Sequence, residues 1–273
     1  MDKKAVQPQA QKEAAGLHKQ AQSDGAKAGE SIERIDAKER LIVALDFPSA
    51  VRAMDLVDRL DGCCRWFKVG MELYYAAGNR VIEGLRERGY EVFLDLKLHD
   101  IPNTVAGAVR SVTGLGASLL TVHAGGGEQM MRAAVQAARA PGSPKLLAVT
   151  VLTSMDTAEL RAVGVRGSAN DLHSQVLRLA RLAQAAGIDG LVCSAEEVEA
   201  VRAAMGPEMK LVVPGIRPAG SAGRRDDQKR VASATEAIAR GASMLVVGRP
   251  ITQAADPARV AAGILAEIAA SHS

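Results

Sequence analysis

From residue 41 onward, short runs of apolar and β-branched residues recur along the chain: LIVAL (41–45), WFKVG (66–70), EVFLDL (91–96), SLLTVH (118–123), KLLAVTVL (145–152), GLVC (190–193), KLVVPG (210–215) and MLVVG (244–248). Their length and their Val, Ile and Leu content predict eight strands. Between them, apolar residues fall at helical spacing instead, as in Met54, Val57 and Leu60, in Val81, Ile82 and Leu85, and in Val105, Ala108, Val109 and Val112. A last helical stretch, Val260, Ile264, Leu265 and Ile268, follows the eighth run. Glycines mark the junctions in RERGYEVF, GLGASLL, QAAGIDGLV and ARGASMLVV, where a helix C-cap leads straight into a strand.

Strands buried on both faces read as unbroken apolar runs, so this alternation of strand and helix predicts a parallel sheet covered by helices. Eight βα units within about 210 residues fit a closed (β/α)8 TIM barrel. An open doubly wound sheet is the competing architecture, but no G-x-G-x-x-G follows the first strand. The α/β barrel is the expected fold, as a single domain over residues 36–273. Residues 1–35 break the pattern: they are rich in Ala, Gln and Lys, and no aromatic residue precedes Phe47. Such a segment cannot bury enough apolar surface to offset its ordering entropy, so a flexible extension is expected there.

Composition narrows the partners. At 273 residues and 48% apolar the chain can bury a substantial core. Thirty-four basic against thirty-one acidic residues leave a formal charge of +3, which implies a small-molecule partner and no nucleic acid. Cys63 and Cys64 are adjacent and Cys193 lies in an apolar run, a spacing that suits neither a disulfide framework nor a zinc site. No run approaches the roughly 18 apolar residues of a membrane span, and the N-terminus lacks the apolar core of a signal peptide. A cytoplasmic protein without membrane association is expected.

In a barrel of this kind, chemistry sits where strands end. The polar residues there are Asp46, Lys68, Asp95, Lys97, His123, Thr153, Pro214 to Arg217, Gly248 and Arg249. Asp95 and Lys97 are two apart on one strand, so both side chains project to the same face, the barrel interior. Lys68 and Asp46 end the two preceding strands and would stand beside them, each carboxylate favouring a charged lysine and each lysine a charged carboxylate. Any one of the four reads equally well as part of an ion-pair network at the barrel mouth; the four together point to a reactive pocket. Asp100 lies beyond the strand, where Pro102 restricts Ile101 to extended geometry and carries the chain outward. Gly248 and Arg249 end the eighth strand, where barrels commonly bind phosphate. The stretch PGIRPAGSAGRRDDQKR (214–230) is long, polar and glycine-bearing, which suits a lid over a ligand. Arg224, Arg225, Lys229 and Arg230 within it read as solvated charges. His99 and His123 lack a ligand pattern and read as structural, as do Glu128, Met130, Met131 and Trp66.

The string DLKLHDIPNT (95–104), together with LIVALDF, FKVG, VHAGGG, VTVLTS, VVPGIRP and VVGRPIT, resembles the orotidine 5′-phosphate decarboxylase family in its bacterial form. The resemblance runs from about residue 38 to about residue 270 and takes in seven of the eight strand ends. It implies a pyrimidine nucleoside monophosphate substrate with a carboxylate at C6, lost as carbon dioxide without metal or organic cofactor. It further implies that Lys97 stabilises the charge at C6 and delivers a proton, that Asp95 sits near the departing carboxylate, and that Lys68 and Asp46 complete the network and touch the ribose. Asp100 and Thr104 are implied to cross the interface of a homodimer. Gln228 and Arg249 are implied to hold the phosphate with Arg217 of the Pro214 turn nearby, and Thr153 to bond the pyrimidine. A magnesium-dependent relative acting on a keto-sugar phosphate also carries D-x-K-x-x-D, but HDIPNT and PGIRP speak against it. A non-catalytic nucleotide-binding barrel is the remaining alternative.

Overall fold

The structure, a computed structural model, describes residues 36–165, 171–218 and 230–271. The expected extension over 1–35 therefore lies outside the described residues, as do Arg224, Arg225, Gln228 and Lys229. Eight parallel strands pair in sequence order: β1 (Leu41–Ala44), β2 (Trp66–Gly70), β3 (Glu91–Leu98), β4 (Leu119–His123), β5 (Lys145–Val149), β6 (Gly190–Val192), β7 (Lys210–Val213) and β8 (Met244–Val247). β8 returns to β1, with Leu41 opposite Leu245, so the sheet closes and the open alternative is excluded. All eight apolar runs become strands. The ladder ends before the apolar text does in β5 and β7, because Val151, Leu152 and Pro214 leave the sheet to line a cleft.

Local chemistry sets the helix starts. Ser49 caps the helix Ala50–Arg59 by accepting from the Arg52 N–H, and Asp156 and Ser233 form capping boxes with Glu159 and Glu236. Pro102 opens the helix Pro102–Val112, at a position whose N–H has no intrahelical partner in any case.

Two cores follow from the period-2 alternation of each strand. Leu41 and Val43 of β1, and Leu45 just past its end, face outward into a continuous apolar layer shared with helix residues such as Ala53, Leu56 and Ile264. Ile42 and Ala44 face inward with Trp66, Phe93, Leu119, Leu147, Val212, Met244 and Val246, which fill the barrel interior. Each fully buried Leu, Ile or Phe contributes about 1.5–3 kcal/mol. The interior columns matter for function, because carrying each one two residues further reaches the polar groups: Ile42–Ala44–Asp46, Trp66–Lys68 and Phe93–Asp95–Lys97.

Candidate active site

At the C-terminal end of the strands lies a cleft of about 660 Å³. Its lining includes Asp46, Lys68, Asp95 and Lys97 together with Thr153, the Pro214–Arg217 turn, Gly248 and Arg249. The four charged groups form an alternating chain. Lys68 Nζ donates to Asp46 Oδ1 at 2.9 Å and lies 3.7 Å from Asp95 Oδ2, while Lys97 Nζ stands 2.9 Å from both Asp95 oxygens. Gly70 makes room for this chain, since a Cβ there would come within 2.9 Å of Lys68 Nζ and 3.1 Å of Asp46 Oδ1.

Strand β3 is distorted where it presents these groups. Leu94 pairs with Leu120 and Leu98 with Val122, so four residues of β3 advance against two of β4. Lys97 takes a left-handed backbone, φ +49°, uncommon for a residue with a side chain. Thr121 bridges the gap: its hydroxyl accepts from the Lys97 N–H at 2.8 Å and donates to Asp95 Oδ1 at 2.9 Å. Thr121 is fully buried and was missed in the sequence, although its place two residues after inward-facing Leu119 puts it on an interior column.

Burial pushes the Asp95 carboxyl up, but the Lys68 and Lys97 ammonium groups and the bonds from Lys97 and Thr121 outweigh it. The net result holds Asp95 below the usual carboxylate range, so it is anionic at neutral pH. Asp46 is the open end of the chain, with its side chain 55% exposed and a free face toward the cleft.

Other residues fall differently. Asp100 and Thr104 are exposed and are not among the residues lining this cleft; Asp100 Oδ1 accepts from the Ile101 N–H at 2.6 Å, and Ile101 is extended, as Pro102 requires. Arg52 and Gln253 line the cleft, with no signal in the sequence beyond their nearness to strand ends. His99 and His123 stack at 4.9 Å, and His123 Nδ1 accepts from the Gly125 N–H. Burial, His99 and the charge of Lys97 together lower the His123 pKa. Trp66, Met130 and Met131 are core residues. Glu128 pairs with Arg132 one helical turn on. The expectation of a solvated Arg230 is corrected: it is 6% exposed and pairs with buried Glu197, because the returning chain packs it beneath the β5 and β6 loops.

A family model described as "Orotidine 5'-phosphate decarboxylase / HUMPS family" matches residues 39–264. Orotidine 5′-phosphate decarboxylase of Afipia carboxidovorans is 54% identical over 235 residues, covering 86% of this chain and 97% of the relative. That of Moorella thermoacetica is 49% identical over 242 residues, covering 86% and 94%. The crystal structure of orotidine 5′-phosphate decarboxylase from Lactobacillus acidophilus superposes with a TM-score of 0.73 at 39% identity, covering 84% of this chain and 99% of that one. A fold and a sequence that agree across all eight strands lead to one conclusion: this chain belongs to the orotidine 5′-phosphate decarboxylase family.

Proposed function

We propose that the protein decarboxylates orotidine 5′-monophosphate to uridine 5′-monophosphate, the final step of de novo pyrimidine nucleotide synthesis. The observation that carries this reading is the alternating chain Asp46–Lys68–Asp95–Lys97 in the cleft. The bond from C6 to the carboxylate breaks, carbon dioxide departs and the electron pair stays on C6. Lys97 Nζ, fixed by two bonds to Asp95, meets that charge and transfers a proton to C6; water then restores the ammonium. A cation already oriented toward nascent charge needs no solvent reorganisation, and one such group is worth about 10²–10³ in rate.

Asp95 lies near the departing carboxylate and holds Lys97 in line. Asp46 and Lys68 take the ribose hydroxyls, Thr153 the pyrimidine, and Arg249 with Gln228 the phosphate, near Arg217, Pro214 and Gly248. The reaction asks for no metal or organic cofactor, since Lys97 supplies both charge and proton. Asp100 and Thr104, exposed and not among the residues lining the cleft of their own chain, complete the site of a second copy in a homodimer. Residues 36–273 form the catalytic domain of a cytoplasmic enzyme, with 1–35 as an appended extension. No helix among the described residues is long and apolar enough to cross a membrane.

The test is direct. Purified protein treated with a chelator and given orotidine 5′-monophosphate should deplete the ultraviolet absorbance of that nucleotide at the untreated rate. Absence of turnover would overturn the activity, and turnover restored by magnesium alone would overturn the mechanism.

A further inference from the structure

Outside the acid–lysine chain, one buried ion pair joins three walls of the cleft. Arg230 Nη1 pairs with the Glu197 carboxylate, itself 1% exposed, and Nη2 donates to the Leu152 carbonyl at 2.9 Å. The second Glu197 oxygen accepts from the Ser194 N–H at 2.9 Å and from the Ser194 hydroxyl. Neither Arg230 nor Glu197 is among the residues lining the cleft, yet Arg230 grips Leu152, which lines it beside Thr153 after β5, and Glu197 grips Ser194, next to Cys193 of the lining after β6. The main chain adds the third wall. Arg217 N–H donates to the Ala232 carbonyl at 2.9 Å and Ala232 N–H to that of Gly215 at 3.2 Å, so the backbone just past Arg230 is stitched to the Pro214–Arg217 turn.

The pair is a poor choice for stability alone. Both charges are desolvated, and Arg230 Nε is buried without a hydrogen-bond partner, whereas apolar groups of similar volume would fill the space at no such cost. What the arginine adds is geometry: its planar fork reaches a carboxylate on one loop and a carbonyl on another at fixed angles, which a lysine cannot do. We propose that the Glu197–Arg230 pair is a positioning element that sets the gap between the Thr153 wall and the Gly215–Arg217 wall. It thereby tunes affinity for a ligand long enough to touch both, a pyrimidine nucleoside monophosphate. This inference rests on the function proposed above, which assigns the base to Thr153 and the phosphate to the side of Arg217 and Arg249.

The experiment compares Arg230→Lys and Glu197→Gln with the native enzyme in KM and kcat for orotidine 5′-monophosphate, and in Kd for uridine 5′-monophosphate and for uridine. Folding is checked by circular dichroism. The expected result is a rise of about 10-fold in KM and in the nucleotide Kd, the size of one lost hydrogen bond, with kcat and the uridine Kd within about 2-fold of native. An unchanged KM in a folded variant overturns the proposal, and so does equal weakening of uridine, which marks general loosening. If the single variants do not fold, Arg230→Met with Glu197→Leu removes both charges and is read the same way; its failure to fold would assign the pair to stability and also overturn the proposal. A native enzyme without turnover sinks the proposed function instead, while the contrast between nucleotide and nucleoside binding still judges the pair.

Discussion

At the end of the barrel where strands begin, Arg202 donates to the carbonyls of Gly206, Pro207, Met209 and Gly241, and Arg40 to those of Ser243 and Ala242. At the end where strands finish, Lys68 and Lys97 face carboxylates. Backbone carbonyls are held by the fold and accept the same cation permanently, so the first arrangement ties off the turns before β1, β7 and β8. Carboxylates keep spare lone pairs, and Asp46 opens onto the cleft, so the second arrangement can trade one partner for a ligand. One mouth of the barrel is built for stability and the other for chemistry, the division expected of this architecture.

The sharpest way to break that contrast is Lys97→Ala. It should lower kcat by about 10³-fold or more while the unfolding midpoint stays within a few degrees of native. Near-native activity would remove Lys97 from the chemistry. Mixed with Asp100→Ala, it should recover about a quarter of native activity through hybrid dimers that keep one intact site, and no recovery would argue for a self-contained site. The opposite mouth should give the opposite result. Arg202→Ala leaves several carbonyls unpaired and should cost about 3 kcal/mol in urea unfolding with kcat unchanged, whereas lost activity at full stability would erase the division.

The smallest effect concerns acid. Because the folded Asp95 carboxyl titrates below its unfolded value of about 3.9, its contribution is complete above that pH and is lost as pH falls through the folded value. The urea midpoint of the native protein should therefore fall more steeply below about pH 4 than that of Asp95→Asn, and parallel curves would show that the lysines do not hold the carboxylate.

Much of this was legible in the sequence, for identifiable reasons. The eight strands announced themselves because a sheet covered on both sides needs unbroken apolar runs. Asp95 and Lys97 stood out because period 2 places them on one face, and their neighbours Lys68 and Asp46 because strand ends are where barrels hold polar groups. Thr121 stayed hidden, since threonine is at home in a strand and nothing in SLLTVH shows that its hydroxyl replaces a missing rung of the ladder. Arg230 was misread for a different reason. It follows a run of polar residues, and its partner Glu197 lies 33 residues earlier on another loop, a contact that only the closed barrel creates.

The left-handed backbone at Lys97 sets the pocket against the chain that builds it. Side chains pay about 1–2 kcal/mol to sit in that conformation and glycine almost nothing, so the substitution that would most relax this turn is also one that deletes the ammonium. Selection for robustness and selection for turnover therefore pull in opposite directions at a single codon.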